Sequence, residues 1–141
     1  MLKSIYCIRN ADNISSQITK KGLRQINRVK NSWKDRKYIE LVITDSDIQS
    51  IDTANGIFNN YHIIPLKFPD CPICDHQFYG KCQRLDLFYE FLKTRNESSI
   101  AYVGHGTFIN KIQCYNISKV NYLKRANPYL VELTLSDLCD N

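Results

Sequence analysis

The chain is 141 residues long, carries a net charge of +5 and is 43% hydrophobic. This composition disfavours a disordered chain and an all-helical one, and the length suits one domain with its own core. Lysines and arginines are scattered along the sequence, which is typical of a solvated surface, although the charge leaves anionic ligands or a nucleic-acid partner open.

The sequence indicates a soluble protein. No run approaches the roughly 20 apolar residues that are needed to span a bilayer. The first apolar run, over residues 5–8, is ended at once by Arg9, unlike the apolar core of a signal peptide. We therefore expect an intracellular protein without a membrane span, in which unpaired cysteines stay reduced.

Strands and helices alternate in the first half of the chain. Short β-branched runs with polar flanks predict strands over residues 4–8 and 40–44. A helix between them is indicated by apolar residues near helical spacing, and Thr19 is placed to cap it. Its apolar positions are Leu23, Ile26, Val29 and Trp33. The next amphipathic helix is marked by Ile48, Ile51, Ala54, Ile57 and Phe58.

The second half continues the alternation. A third amphipathic helix is marked by Leu85, Phe88, Phe91 and Leu92, and a strand over residues 100–103 leads into a helix through Ile109 and Ile112. This order predicts a single domain over residues 1–141, with a largely parallel sheet and helices on both of its faces.

Two polar segments directly follow predicted strands. Arg9 and Asn10 end the first, and Gly104-His105-Gly106 ends the late one. Since ligands bind beyond the carboxyl ends of strands in such sheets, both segments are expected at one pocket. The two glycines would let the backbone turn sharply and approach a ligand closely. His105 is then either a phosphate-binding residue or a turn histidine with local hydrogen bonds.

Five segments, taken together and in order, resemble the histidine phosphatase superfamily. The triplet Arg9-Asn10-Ala11 is similar to its Arg-His-Gly or Arg-His-Ala, and residues 18–25 to the Leu-Thr-x-x-Gly-x-x-Gln opening of its first helix. Residues 41–54 resemble its second strand and Arg-x-x-x-Thr-Ala helix, 100–106 its late strand and second catalytic histidine, and 127–133 its closing strand. The resemblance implies a phosphoglycerate-mutase-like fold, a three-layer α/β/α sandwich. It also implies phosphate binding by Arg9, His105 and Gly106.

The chain departs from the family at chemically decisive positions. Asn10 stands where the family has its nucleophilic histidine, and an amide nitrogen has no basic lone pair with which to attack phosphorus. Gln49 stands where an arginine clamps the phosphoryl group, and Asp45 and Asp47 add negative charge nearby. The resemblance therefore implies a degenerate pocket made of Arg9, Asn10, Gln49 and His105.

The family's general acid has no assignable counterpart. Asp70, Asp75 and Glu90 lie in the region that supplies it, but none is matched by a motif. Small members of the family can lack this group, so its absence weighs less than the two substitutions above.

A Cys-rich loop is predicted at residues 70–82. Cys71-Pro72-Ile73-Cys74 resembles the knuckle of zinc ribbons, and His76 and Cys82 complete the ligand types of a structural Cys3His zinc site. His76 follows Cys74 closely for one ion, so another residue is a possible substitute ligand: Cys7, Cys114, Cys139 or His62. Unligated thiols and a redox pair remain the alternatives.

These observations predict a catalytically inactive protein that acts as a structural or protein-binding subunit of a larger assembly. A non-hydrolysing sensor of a phosphorylated ligand is the alternative that keeps Arg9 and His105 in use. A phosphatase with a different nucleophile, His105 itself or a cysteine of the loop, is the other. Because function cannot be inferred from fold alone, these alternatives stay open at the level of sequence.

Overall fold

The fold is taken from a computed structural model, which describes residues 2–68, 83–116 and 125–134. The strands in these ranges are β1 (Leu2–Arg9), β2 (Asn13–Ile14), β3 (Gln17–Ile18), β4 (Leu41–Asp45), β5 (Ile63–Leu66), β6 (Ser99–Gly104) and β7 (Pro128–Thr134). The helices are α1 (Lys20–Ser32), α2 (Ile48–Ile57), α3 (Gln83–Lys93) and α4 (Gly106–Asn116), with a 3-10 turn at Lys34–Tyr38. The predicted loop at 70–82 lies outside the described residues.

A five-stranded sheet has the order β5-β4-β6-β1-β7. Its first four members run parallel, and β7 pairs antiparallel with β1. The register sets Arg9 beside Gly104 and Thr44 beside Val103. The carboxyl ends of β1, β6 and β4 therefore lie side by side, and the predicted, largely parallel sheet is confirmed.

Successive residues of a strand point to opposite faces of the sheet. Apolar strand residues therefore lie on both faces, and helices cover both. One buried cluster joins the sheet to α3 and α4: Ile5, Cys7, Ile43, Ile100, Tyr102, Leu85, Phe88, Leu92, Phe108, Ile109 and Ile112. The other joins it to α1 and α2: Ile8, Val42, Ala101, Val103, Ile26, Val29, Ala54 and Ile57. The described residues thus form the three-layer α/β/α arrangement that the resemblance implied.

The buried face of α1 matches the prediction at Ile26 and Val29 and differs from it at Leu23. Gly22, Ile26 and Val29 face inward, whereas Leu23 is 52% exposed. The reason is the close approach of α1 to the chain after β1: a Cβ on Gly22 would collide with the main-chain oxygen of Asp12. Thr19 caps the helix as predicted, since its Oγ1 accepts a hydrogen bond from the Gly22 N–H at 3.0 Å.

The helix α2 buries Ala54, Ile57 and its C-cap Phe58 as predicted, but its first turns differ from the prediction. Ile48 is 62% exposed, while Ser50 and Thr53 are fully buried beside Ala54 and Ile57. Buried hydroxyls need partners, and these two find them at the end of β1, as described below. None of the helices in the described ranges is both long and apolar enough to cross a membrane.

Candidate functional site

The carboxyl ends of β1, β4 and β6 bring together side chains that are far apart in the sequence. The Asn10 N–H donates to the Gly104 carbonyl at 3.1 Å, which joins the end of β1 to the end of β6. The His105 N–H donates to Asp45 Oδ2 at 3.2 Å, which joins β6 to β4. The two segments that were expected to converge, 9–10 and 104–106, are therefore adjacent.

Asn10 is held by the first turns of α2. Its side chain is 3% exposed, and its Oδ1 accepts a hydrogen bond from Ser50 Oγ at 2.8 Å. The next N–H, of Ala11, donates to Thr53 Oγ1 at 3.1 Å, and that hydroxyl donates to the Gln49 carbonyl at 2.7 Å. Asn10 is thus a buried amide in a structural hydrogen-bond network.

His105 faces two carboxylates. Its Nε2 lies 3.2 Å from Asp47 Oδ1 and 4.0 Å from Asp45 Oδ2. Asp47 begins α2 as its N-cap, because its Oδ2 accepts from the Ser50 N–H at 3.0 Å. Asp45 ends β4, is 4% exposed, and accepts a short hydrogen bond from the Tyr102 hydroxyl. The imidazole is therefore engaged by the protein's own acidic groups.

The electrostatics follow from this arrangement. The hydrogen bond to Asp47 raises the pKa of His105, against the opposing effect of burial, and the charges of Asp47 and Asp45 add to the rise. Burial raises the pKa of Asp45, although the Tyr102 hydroxyl and His105 counteract it. Burial also acts to raise the pKa of Asp47, but hydrogen bonds from His105 and Ser50 outweigh it and the pKa falls below its usual value.

The two glycines around His105 are required by close contacts. A Cβ on Gly104 would overlap the Tyr102 hydroxyl and lie 2.6 Å from Asp45 Oδ2. A Cβ on Gly106 would lie 3.3 Å from Arg9 Nε, so the Arg9 side chain packs against that glycine. The Arg9 side chain therefore lies against the start of α4.

The other predicted residues are Gln49 and the possible zinc ligands. Gln49 lies half-buried in the first turn of α2, beside Ser50. The four predicted zinc ligands, Cys71, Cys74, His76 and Cys82, lie outside the described residues. Cys7, one possible substitute, is fully buried in the core, where burial raises the pKa of its thiol to about 12.

Sequence reasoning missed several members of the site. Asp45 and Asp47 were noted only as negative charge, and the roles of Ser50, Tyr102 and Arg84 were not seen. The charge of Arg84, at the start of α3, acts on both His105 and Tyr102, and its guanidinium lies 5.5 Å from the Phe108 ring centroid. One signal was available, since Asp47 directly precedes a helical pattern and is a preferred capping residue.

The acidic pair and His105 have the composition of a metal-binding group. Within the described ranges, one ligand atom from each of Asp45, Asp47 and His105 lies within 4.8 Å of the other two. Carboxylate oxygen and imidazole nitrogen are both ligands of divalent metals. The two carboxylates can therefore form an ion pair with a protonated His105, or they can bind a cation together with a neutral His105.

No protein-family model matches the chain, and no curated protein matches it by sequence. Solved structures do match. A mutant phosphoserine phosphatase from Entamoeba histolytica, in complex with phosphoserine, matches with a TM-score of 0.66 and 13% identity, over 91% of this chain and 89% of that one. A phosphoglycerate mutase from Bacillus anthracis matches with a TM-score of 0.62 and 12% identity, over 95% and 89%.

The protein histidine phosphatase SixA, in complex with tungstate, also matches with a TM-score of 0.62 and 12% identity, over 96% of this chain and 99% of that one. In these three comparisons nearly all of this chain and of the matched chain is covered, whereas the sequence identity is low. The likeness therefore shows the fold alone, and it confirms the fold that the five motifs implied.

Proposed function

We propose that this chain, which has the phosphoglycerate-mutase-like fold of the histidine phosphatases, does not hydrolyse phosphate esters and serves as a structural or protein-binding subunit of a larger assembly. The first support is Asn10. Phosphoryl transfer through a phosphohistidine needs a neutral ring nitrogen that attacks in line, and a buried amide bonded to Ser50 provides none.

The observation that carries the proposal is the pairing of His105 with the acidic groups. A transferred phosphoryl group is stabilised by positive charge around its equatorial oxygens. Here Asp47 lies 3.2 Å from the imidazole that would supply part of that charge, and Asp45 lies behind it. Gln49 is neutral where an arginine would be needed. Two carboxylates beside His105 oppose the phosphate that a phosphatase must bind.

The proposal is tested by turnover and by co-purification. We expect no phosphomonoesterase activity above that of His105→Ala, and no labelled phosphoenzyme after rapid mixing with substrate. We expect the protein isolated from its native source to carry a stoichiometric protein partner. Turnover by the unmodified chain that survives removal of contaminants and disappears with His105→Ala would overturn the proposal.

A second candidate function, the sensor of a phosphorylated ligand, is favoured by one observation. The Arg9 side chain packs against Gly106, directly beside His105, so that both retained family groups border the same space. Saturable binding of inorganic phosphate that is lost in Arg9→Ala, without turnover of any ester, would select the sensor over the structural subunit.

A structural zinc at Cys71, Cys74, His76 and Cys82 remains part of the proposal. Its support is the ligand chemistry of these four residues and the Cys-Pro-x-Cys spacing of the first two. A bound metal would hold a loop with little apolar content in one conformation.

A further inference from the structure

We infer that Asp45, Asp47 and His105 form a site for one divalent cation at the carboxyl edge of the sheet. This inference rests on the proposed function, because it names what the pocket holds in place of a phosphoryl group. It concerns residues distant in sequence from the Cys-rich loop, and it needs none of that loop's ligands.

The spacing of the candidate ligand atoms fits a metal. With metal–ligand distances of about 2.1 Å, neighbouring ligands of an octahedral ion lie about 3.0 Å apart and opposite ligands about 4.2 Å apart. The His105 Nε2 lies 3.2 Å from Asp47 Oδ1 and 4.0 Å from Asp45 Oδ2, between these limits. All three ligand atoms lie within 4.8 Å of one another, so small side-chain movements can bring them around one ion.

The two carboxylates of the cluster attract a cation. When His105 is neutral, Asp45 and Asp47 carry up to two negative charges beside it, and Arg84 is a cation whose charge acts on His105. Asp45 is 4% exposed, and buried charges in proteins are paired or coordinate metals.

Both carboxylates are already oriented by groups behind them. Asp45 Oδ1 accepts from the Tyr102 hydroxyl, and its Oδ2 turns toward His105. Asp47 is held by the N–H of Ser50, with its Oδ1 toward His105. Metal-binding carboxylates and histidines are usually supported by such outer hydrogen bonds.

The site also has an excess of acceptors and an open side. Ser50 Oγ lies 2.8–2.9 Å from Asn10 Oδ1 and from both oxygens of Asp47, but its single proton serves only one of them. The side chains of Asp47 and His105 are 25% and 45% exposed. Solvent can therefore reach the ion and complete its coordination with water.

The donor set indicates the kind of ion. Two carboxylate oxygens and one imidazole suit Mn²⁺ and Zn²⁺, whereas thiolates select Zn²⁺ over Mn²⁺. Mn²⁺ is therefore the probe that distinguishes this site from the cysteines of residues 70–82. We expect one Mn²⁺ per chain.

The experiment is a calorimetric titration of the chelator-treated, full-length protein with Mn²⁺ in buffer free of phosphate. We expect Asp47→Asn and His105→Gln to weaken Mn²⁺ binding by roughly 10–100-fold or more, because each removes a direct ligand. Asp52→Asn, which changes an exposed carboxylate on the same helix, is the matched control and should bind as the parent does. Mn²⁺ should also raise the melting temperature of the parent and of the control, but not of the two ligand variants.

Absence of Mn²⁺ binding to the folded parent would overturn the inference, as would equal binding by parent, Asp47→Asn and His105→Gln. Asp47→Asn keeps the capping amide oxygen and His105 is half exposed, so both variants are expected to fold, and their thermal unfolding without metal checks this. Ester hydrolysis that appears only with bound Mn²⁺ would support the cation site and overturn the proposed function. The two failures are therefore distinguishable.

Discussion

Asn10 is an amide whose environment matches its chemistry. The amide is buried and bonded to Ser50, whose hydroxyl also lies close to Asp47. Asn10 therefore forms part of a network that includes the N-cap of α2. Asn10 and Asp47 are connected through Ser50, so a substitution at either residue should alter the hydrogen bonds of the other.

Restoring catalysis should need more than the nucleophile. We expect Asn10→His to remain poorly active, because Gln49 leaves one side of the transferring phosphoryl group without charge. Loss of one preorganised donor typically costs about 2.7–4 kcal/mol, or roughly a hundred- to thousand-fold in rate. Asn10→His with Gln49→Arg should therefore recover far more activity than either change alone, measured as release of phosphate from an aryl phosphate. Equal rates for the double variant and Asn10→His would contradict this argument.

Cys7 should be chemically silent in the folded protein. The side chain is fully buried in the cluster against α3 and α4, and burial raises the pKa of the thiol to about 12. Since the thiolate is the reactive form, iodoacetamide at neutral pH should leave Cys7 unmodified in the native protein and alkylate it after unfolding in denaturant. Mass spectrometry of the first tryptic peptides measures both. Alkylation at the same rate in both states would show that the strand is not buried as described.

At the scale of single elements, the helix α1 packs closely against the segment that follows β1. Gly22 packs against the Asp12 carbonyl, and Thr19 donates a hydrogen bond to the Asp12 carboxylate at 2.6 Å. The Asp12 N–H donates to Gln25 Oε1 at 2.9 Å. These contacts fix the segment that follows Arg9 and Asn10, so the motif at the start of α1 positions the pocket.

Gly22→Ala should destabilise the protein although alanine is the better helix former. In an exposed helix the change would stabilise by about 1 kcal/mol. Here the new methyl group meets a main-chain oxygen that cannot move without displacing the loop after Asn10. Overpacking of this kind typically costs about 1–3 kcal/mol, to be measured by urea unfolding.

Arg24→Ala is the control for that measurement, because Arg24 is exposed on the same helix. Its free energy of unfolding should lie within about 0.5 kcal/mol of the parent. A Gly22→Ala protein more stable than the parent would mean that α1 packs less closely on the Asp12 segment.

At the scale of the whole molecule, the parallel sheet determines which side chains meet. The ends of β1, β4 and β6 are neighbours, so residues from three separate parts of the sequence meet at one edge of the sheet. Nearly the whole length of the matched structures is shared, with only 10–13% identity to several of them. The same fold is therefore formed by very different sequences, because a hydrophobic core tolerates extensive substitution when its pattern is kept.

The purified protein should contain one zinc bound by the loop at 70–82. Cys71→Ser and Cys74→Ser should each lose the zinc and melt at a lower temperature, because metal binding contributes directly to the stability of such loops. Cys139→Ser should keep the metal if the four loop residues suffice as ligands. Elemental analysis of protein prepared without chelator measures the content, and well under one zinc per chain in the parent would remove the proposal.

The sequence by itself determined the order of strands and helices and the parallel sheet, and it predicted that the segments after β1 and β6 meet. Each of these follows from short-range patterns: β-branched runs, helical spacing and polar residues directly after strands. The departures from the family's motifs at Asn10 and Gln49 are also predictions of the sequence, because a difference within a motif is a local feature. The exposure of Leu23 and Ile48 was not predicted, since neighbouring backbones decide which side of a helix can approach them.

Only the tertiary structure decided what His105 faces. Asp45 and Asp47 lie 60 and 58 residues before it in the sequence, and no periodic pattern relates residues so distant. Their contacts arise because β4 and β6 are adjacent, Asp47 caps α2, and Gly104 leaves room for Tyr102 against Asp45. Distance and burial set the strength of the charges between these groups, and both are properties of the folded chain.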